Sequence, residues 1–150
     1  MENETMRKRS SRPRLAPHFQ RVLVVGDTRS DVARIVTTLR GDLGTTFPIR
    51  TAATANAALE EVFREAPDLI IMDDVLAPTD TALSVMPLLR RTGYLRPIVI
   101  ASRVTSEART RKLLDAGAAF VVNKDHLDAV SLRNILGGLG LMEEVDSGIF

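Results

Sequence analysis

The chain contains no cysteine and no long apolar segment. Without cysteine, disulfides and thiol nucleophiles are excluded, and the composition fits a reducing cytosol. No apolar stretch approaches the roughly 18 residues of a membrane-spanning helix, and segment 1–14 is too polar for a signal peptide. Lys and Arg number 20 against 19 Asp and Glu, so the charge balance does not point to a polyanion. We therefore expect a cytoplasmic protein that neither enters a membrane nor binds DNA directly.

The length and the distribution of apolar residues predict one folded domain between two polar ends. A chain of 150 residues with 45% hydrophobic content suits a single domain with its own core. Residues 1–18 form a basic, polar stretch that we expect to be a flexible arm. We place the folded domain at 19–138 and a short tail at 139–150. The arm is interpreted mainly as solvated, with contact to nucleic acid or an acidic partner as the alternative.

Five apolar segments alternate with five helical patterns along the domain. Strands are predicted at 22–25, 49–52, 68–72, 98–101 and 120–122. This alternation predicts right-handed crossovers and an α/β fold with a doubly wound, five-stranded parallel sheet covered by helices on both faces. Thr28 and Asp31 have the spacing of a capping box for the first helix. Pro87 lies inside the third helical stretch, 81–92, which predicts a kink or a late start near Ser84.

The third strand is followed directly by two acids, Asp73 and Asp74. Its four consecutive apolar residues are typical of a strand that is buried on both faces of a parallel sheet. In open α/β sheets, ligands bind at the carboxyl edge of the strands. Asp73 is therefore a candidate functional residue.

Polar side chains also follow three other strands of the predicted sheet. With Asp73, the set comprises Asp27, Ser102 and Lys124. Two carboxylates favour Mg²⁺, which binds phosphate oxygens beside one or two protein carboxylates. A carboxylate can also attack phosphorus and form an aspartyl-phosphate, whose added charge a lysine and a hydroxyl can offset. The alternative is that both acids merely cap helices or loops and that Lys124 is an ordinary ion-pair partner.

Four motifs occur in the order found in receiver domains of two-component response regulators. They are the strand and acid at 22–27, the segment 67–81, Ser102 five residues after Pro97, and 116–118 followed by Lys124. The chain resembles that family over about 21–138. The resemblance implies a flavodoxin-like receiver fold with Asp73 as phosphoacceptor, assisted by Ser102 and Lys124. It also implies Mg²⁺ held by Asp27, Asp73 and the backbone carbonyl of Val75.

The chain departs from the family pattern around this site. Gly26 stands where the family usually has its first acid, so we expect weaker Mg²⁺ binding. Asp74 is either a partial replacement for that acid or an alternative acceptor, although the spacing of the surrounding motif favours Asp73. Val121 replaces the aromatic residue that usually moves with the switch hydroxyl, and Asp125 replaces the proline that often follows the lysine.

Two valines bear on the lifetime of a phosphoryl group. Val75 and Val104 take the positions that flank the path of the hydrolytic water in receivers. Neither side chain can orient water by hydrogen bonding, so we predict slow autodephosphorylation.

The resemblance implies a stand-alone response regulator rather than an enzyme acting on other substrates. A sensor histidine kinase or a phosphotransfer protein would phosphorylate Asp73, and a downstream protein would receive the signal. We expect a monomer or a weak homodimer through the fourth and fifth helices. One alternative is a pseudo-receiver that acts as an adaptor without phosphorylation. A nucleotide-binding or hydrolytic α/β enzyme is disfavoured, because the first strand lacks a Gly-rich phosphate loop.

Overall fold

A five-stranded parallel sheet forms the centre of the domain, as predicted. The computed structural model describes residues 11–15, 21–44 and 48–146, with side chains described in 21–44 and 48–141. The strands are β1 (Val22–Val25), β2 (Ile49–Ala52), β3 (Leu69–Asp73), β4 (Ile98–Ser102) and β5 (Phe120–Asn123). Their order in the sheet is β2-β1-β3-β4-β5. This is the doubly wound order in which the chain reverses direction between β1 and β3.

Helices cover both faces of the sheet. They are α1 (Arg29–Thr37), α2 (Ala55–Arg64), α3 (Ala82–Arg91), α4 (Glu107–Asp115) and α5 (Ala129–Gly138). A π-helical turn, Thr38–Asp42, extends α1, and a short 3₁₀ turn, Lys124–His126, follows β5. Alternate residues of the strands face opposite sides, so two apolar clusters form. One lies under α2, α3 and α4 and the other under α1 and α5.

The central strands end one residue later than their apolar pattern predicts. Every residue of β3 and β4 is buried, including the polar residues at their carboxyl ends, Asp73 and Ser102. Asp73 is paired with Ala101 in the ladder between β3 and β4. Both polar side chains are thereby oriented by regular strand geometry rather than by loops.

Of the two alternatives predicted from Pro87, the late start of the third helix is wrong, whereas the kink stays a prediction. Helix α3 begins at Ala82 rather than near Ser84, although Pro87 lies inside it. Its start is fixed because the Thr81 N–H donates to Ser84 Oγ at 3.0 Å and the Ala82 N–H donates to the Asp74 carbonyl at 2.8 Å.

The predicted capping box of α1 is also absent. Thr28 is the N-cap residue, but its side chain makes no capping hydrogen bond. Asp31 is engaged instead by a lysine at the end of the sheet. A side chain in the first turn of a helix points back toward the N-terminal end, and in α1 that end faces the carboxyl edge of the sheet.

Two short strands near the ends of the chain pair with each other. Ser11–Leu15 and Met142–Asp146 form an antiparallel two-stranded ribbon, with Ser11 opposite Asp146. Leu141, just before the second strand, is buried in the cluster under α1 and α5. The boundaries of arm, domain and tail stay a prediction. Within the described residues, no helix is long and apolar enough to cross a membrane.

Candidate functional site

A buried ion pair lies at the carboxyl edge of the sheet. Lys124 Nζ lies 2.9 Å from Asp73 Oδ2, and the two residues are only 6% and 4% exposed. Asp73 comes from the end of β3 and Lys124 from the turn after β5. The backbone of that turn is anchored by α1, because Arg34 Nη2 donates to the Lys124 carbonyl at 2.6 Å. The predicted convergence of these two side chains is therefore present.

Asp31 is a third member of this group that the sequence pattern did not reveal. Its Oδ2 lies 2.8 Å from Lys124 Nζ and 3.4 Å from Arg103 Nη2. Arg103 in turn contacts Asp125, with 3.1 Å between Nε and Oδ1. The lysine ammonium is thus shared between an acid on β3 and an acid on α1. The capping-box spacing assigned Asp31 a local role at the start of α1, so its contact with Lys124 was not predicted.

Burial and ion pairing act on these groups in opposite directions. Burial raises the pKa of Asp73 despite the hydrogen bond and charge of Lys124. Burial opposes the charge of Lys124, but its hydrogen bonds to Asp31 and Asp73 prevail and raise the pKa of the lysine. The hydrogen bond from Lys124 lowers the pKa of Asp31. The ammonium therefore stays charged at neutral pH, and Asp73 is the more basic of its two carboxylate partners.

The Asp73 carboxylate occupies the space where a side chain at position 26 would lie. A Cβ atom at Gly26 would lie 2.7 Å from Asp73 Oδ2 and 3.0 Å from Val32 Cγ2. The Gly26 N–H donates to the Ala52 carbonyl at 2.9 Å, which holds the backbone in place. Asp73 can therefore hold its present position because Gly26 stands in place of the family's first acid.

Asp27 lies at the edge of the site. Its side chain is exposed, and Thr28 Oγ1 lies 3.5 Å from its Oδ1. Its negative charge contributes to the raised pKa of Asp73. Asp27 lines a cavity together with Gly26, whereas Asp73 lines a neighbouring one. Among residues 21–44 and 48–141, no three His, Asp or Glu side chains are grouped to hold a metal ion.

Asp74 points into a different set of contacts from Asp73. Its Oδ2 accepts a hydrogen bond from Ser102 Oγ at 2.9 Å and another from Arg109 Nε at 3.0 Å. Arg109 Nη2 also donates to Asp74 Oδ1. The pair is bidentate, and the hydrogen bond that Arg109 donates to Asp74 raises the pKa of the arginine. Asp74 thus ties the end of β3 to α4, and its carboxylate is already held by two donors.

An open cleft of about 180 Å³ joins the predicted residues. Asp73, Ser102 and Lys124 line it, with Val75 and Val104 beside them. Val75 and Val104 are 67% and 57% exposed, which leaves an apolar rim around a polar floor. Four of the five predicted site residues therefore share one cleft, and Asp27 lies next to it.

Strand β5 presents Val121, and not an aromatic residue, on the face that packs under α4. Val121 packs against the cluster under α2, α3 and α4. Phe120 packs on the opposite face, where a Cβ atom at Gly138 would lie 3.1 Å from its Cζ. The alternation of the strand therefore keeps Phe120 away from the face of Val121.

Comparison with known proteins identifies the family. The model of the response regulator receiver domain matches residues 22–136. The chain belongs to this receiver family. This receiver domain is 33% identical over 101 residues to the transcriptional activator protein ExaE of Pseudomonas putida. That match covers 65% of the chain but only 47% of ExaE.

Solved structures with little sequence identity share the fold of this receiver domain. The chemotaxis response regulator CheY4 of Vibrio cholerae has a TM-score of 0.70 at 23% identity, covering 81% of this chain and 98% of that chain. A two-component response regulator from Clostridium difficile has a TM-score of 0.71 at 17% identity, covering 80% and 94%. The parallel sheet and its helices are thus those of CheY-like receivers.

Proposed function

We propose that this receiver domain accepts a phosphoryl group on Asp73 and passes the signal on by protein contact. The observation that carries the proposal is the buried pair of Asp73 and Lys124, 2.9 Å apart, on the floor of an open cleft. Ser102 supplies a hydroxyl in the same cleft. A nucleophile, a fixed cation and a neutral donor are therefore available at one point.

The donor is a phosphohistidine of a sensor histidine kinase or a phosphotransfer protein. Lys124 holds Oδ2 of Asp73, and we assign the attack on phosphorus to Oδ1. The new O–P bond forms as the N–P bond to the donor imidazole breaks, and that imidazole takes up a proton. Lys124 and Ser102 then face the negative charge of the phosphoryl oxygens, which such preorganised donors stabilise. The higher pKa of Asp73 makes its carboxylate a better nucleophile once it is ionised.

The oxygen ligands at this site are also of the type that Mg²⁺ binds. The ion prefers oxygen ligands and usually binds one or two protein carboxylates while keeping several waters. Asp27, Asp73 and the backbone carbonyl of Val75 would hold it. When bound, it would neutralise charge on the phosphoryl oxygens. Because Gly26 supplies no carboxylate, we expect this receiver to need more Mg²⁺ than one with a complete acid pair.

Several further properties belong to the same proposal. The downstream target is a protein, direct DNA binding is not involved, and the receiver catalyses only its own phosphorylation and dephosphorylation. We propose a cytoplasmic, monomeric or weakly dimeric protein, with any dimer formed through α4 and α5.

A phosphorylation-independent adaptor is the second candidate. Two observations favour it: the hydroxyl of Ser102 is already hydrogen-bonded to Asp74 at 2.9 Å, and Gly26 has no room for a side chain beside Asp73. In such a protein the charged cluster would hold the sheet edge rigid rather than exchange a phosphoryl group.

Titration with Mg²⁺ and beryllofluoride, followed by amide NMR shifts, separates the two candidates. A phosphoacceptor should show Mg²⁺-dependent shifts at Val75 and Ser102 that disappear in Asp73→Asn. Persistence of the shifts in Asp73→Asn with loss in Asp74→Asn would move the acceptor to the neighbouring acid. No shift at millimolar Mg²⁺ would contradict phosphoryl acceptance and favour the adaptor.

A further inference from the structure

Asp74 is a buried acid for which the proposed phosphoryl transfer has no use. It is 5% exposed and lies one residue after Asp73. Its carboxylate accepts hydrogen bonds from Ser102 on β4 and Arg109 on α4. Its own backbone N–H is bonded to the Ala101 carbonyl at 3.0 Å, so the residue is fixed to the sheet. Its side chain therefore links the switch hydroxyl directly to a helix.

The hydroxyl of Ser102 has one proton and therefore serves one acceptor at a time. The Val104 N–H donates to Ser102 Oγ at 3.0 Å, which orients the oxygen. Its acceptors within reach are Asp74 Oδ2 at 2.9 Å and the Val104 carbonyl at 3.0 Å. A hydrogen bond to an ionised carboxylate is the stronger of the two. A phosphoryl group on Asp73 would therefore have to compete with Asp74 for the hydrogen bond that Ser102 donates.

Arg109 occupies a position on α4 that by itself disfavours a cation. It is the third residue of the helix, and its N–H donates to Ser106 Oγ at 3.2 Å in the N-terminal turn. The N-terminus of a helix carries partial positive charge, so a guanidinium there is stabilised by an external anion. Asp74 provides that anion with two hydrogen bonds. The start of α4 is accordingly held to the end of β3 through this pair.

We propose that Asp74 is a positioning residue that holds the Ser102 hydroxyl before phosphorylation and transmits its release to α4 through Arg109. The inference rests on the proposed phosphoryl acceptance at Asp73. When Ser102 turns to the phosphoryl group, Asp74 loses one donor and faces a new negative charge nearby. Arg109 then remains as its partner, and the N-terminal turn of α4 adjusts. This route would replace the movement of an aromatic residue on β5, because Val121 stands at that position.

The first test compares the response of α4 in two arginine variants. Amide shifts are recorded with Mg²⁺ and beryllofluoride in the full chain, in Arg109→Gln and in the matched control Arg111→Gln. Arg111 lies on the same helix, is exposed and forms an ion pair with Glu107 at 3.5 Å. The shift at Val75 reports occupancy of the site, and shifts across Thr110 and Leu113 report α4. We expect both shifts in the wild type and in Arg111→Gln, and only the Val75 shift in Arg109→Gln.

The second test uses the affinity for beryllofluoride, which a purely structural role of Asp74 would not increase. Asp74→Asn keeps the shape of the side chain but weakens its hold on Ser102. We expect beryllofluoride to bind roughly tenfold more tightly, because a charged hydrogen bond no longer competes for the hydroxyl proton. Weaker or unchanged binding would overturn the proposal.

The outcomes distinguish this inference from the function on which it rests. If beryllofluoride saturates the site in Arg109→Gln and α4 still shifts fully, the route through Asp74 is wrong and phosphoryl acceptance stands. If the wild type shows no Mg²⁺-dependent shift at Val75, both proposals fail. Arg109→Lys adds a further check, since it keeps the charge and loses the bidentate geometry. It should restore the α4 shift only in part.

Discussion

Replacing Gly26 by alanine should destabilise the receiver domain, contrary to the usual effect of that substitution. Gly26 does not have the left-handed backbone seen at four other glycines, so a side chain causes no backbone strain there. Its new Cβ would meet Asp73 Oδ2 at 2.7 Å. The carboxylate would have to move off Lys124, where a hydrogen bond between charged groups is worth about 1.5 to 3 kcal/mol.

The gain from a less flexible unfolded chain offsets part of this loss. Gly→Ala at a compatible position stabilises by about 0.4 to 1 kcal/mol. Subtracting that gain leaves a net destabilisation of about 0.5 to 2.6 kcal/mol for Gly26→Ala. Gly41→Ala is a matched control, because nothing lies within 4 Å of a Cβ at Gly41. We expect the control to be neutral or slightly stabilising.

Urea denaturation in two backgrounds isolates the cause. The free energy of unfolding is measured for Gly26→Ala in the wild type and again in Asp73→Ala, which has no carboxylate to displace. The cost should appear in the wild type and vanish or reverse in the second background. An equal cost in both would refute the reasoning and shift the clash to Val32, the other close neighbour at 3.0 Å.

Three further predictions concern pH, helix α3 and the lifetime of the phosphoryl group. Asp31→Asn should cost about 1 to 3 kcal/mol at pH 7, measured by urea denaturation, because Lys124 loses a charged partner. The Asp31 pKa is lowered in the folded state, so its contribution is present above about pH 4 and is lost as the pH falls through the folded pKa. Pro87→Ala should raise the melting temperature and stabilise by about 1 to 3 kcal/mol, since it restores a helix-interior N–H donor. Val75→Asn should speed loss of the phosphoryl group by about 2- to 10-fold, followed by phosphate release, because the amide can orient water.

Each of these has a result that would contradict it. A stability difference between wild type and Asp31→Asn that does not shrink toward pH 2 would show that the ion pair with Lys124 is not its cause. An unchanged or lower melting temperature for Pro87→Ala would mean that the helix has already adapted to the proline. Val130→Asn, at an exposed position on α5, is the control for Val75→Asn, and equal acceleration in both would exclude an effect on the hydrolytic water.

The sheet was predictable because its strands follow simple apolar patterns. The central strand β3 is buried at every residue, which matches a continuous apolar run better than an alternating one. The same pattern placed Asp73, Ser102 and Lys124 at one edge. Their convergence at that edge required only the parallel order of the strands.

Contacts between side chains of distant elements were not predictable in this way. The pattern of Thr28 and Asp31 satisfied a local capping motif, whereas Asp31 is in fact drawn to Lys124, 93 positions later in the chain. No local motif singles out Arg109, and only the fold brings it to Asp74. Local motifs and long-range ion pairs compete for the same side chains, and the balance depends on a geometry that periodicity does not describe.

The pairing of the strands at 11–15 and 142–146 implies that the receiver domain tolerates circular permutation. Ser11 lies opposite Asp146 in the ribbon, and residues paired across antiparallel strands have Cα atoms about 4.5 to 5.5 Å apart. Residues 11–146 therefore nearly close a ring, which a short linker between Asp146 and Ser11 would complete. A circularly permuted version opened in an exposed loop away from the cleft should keep the sheet and its acidic edge intact.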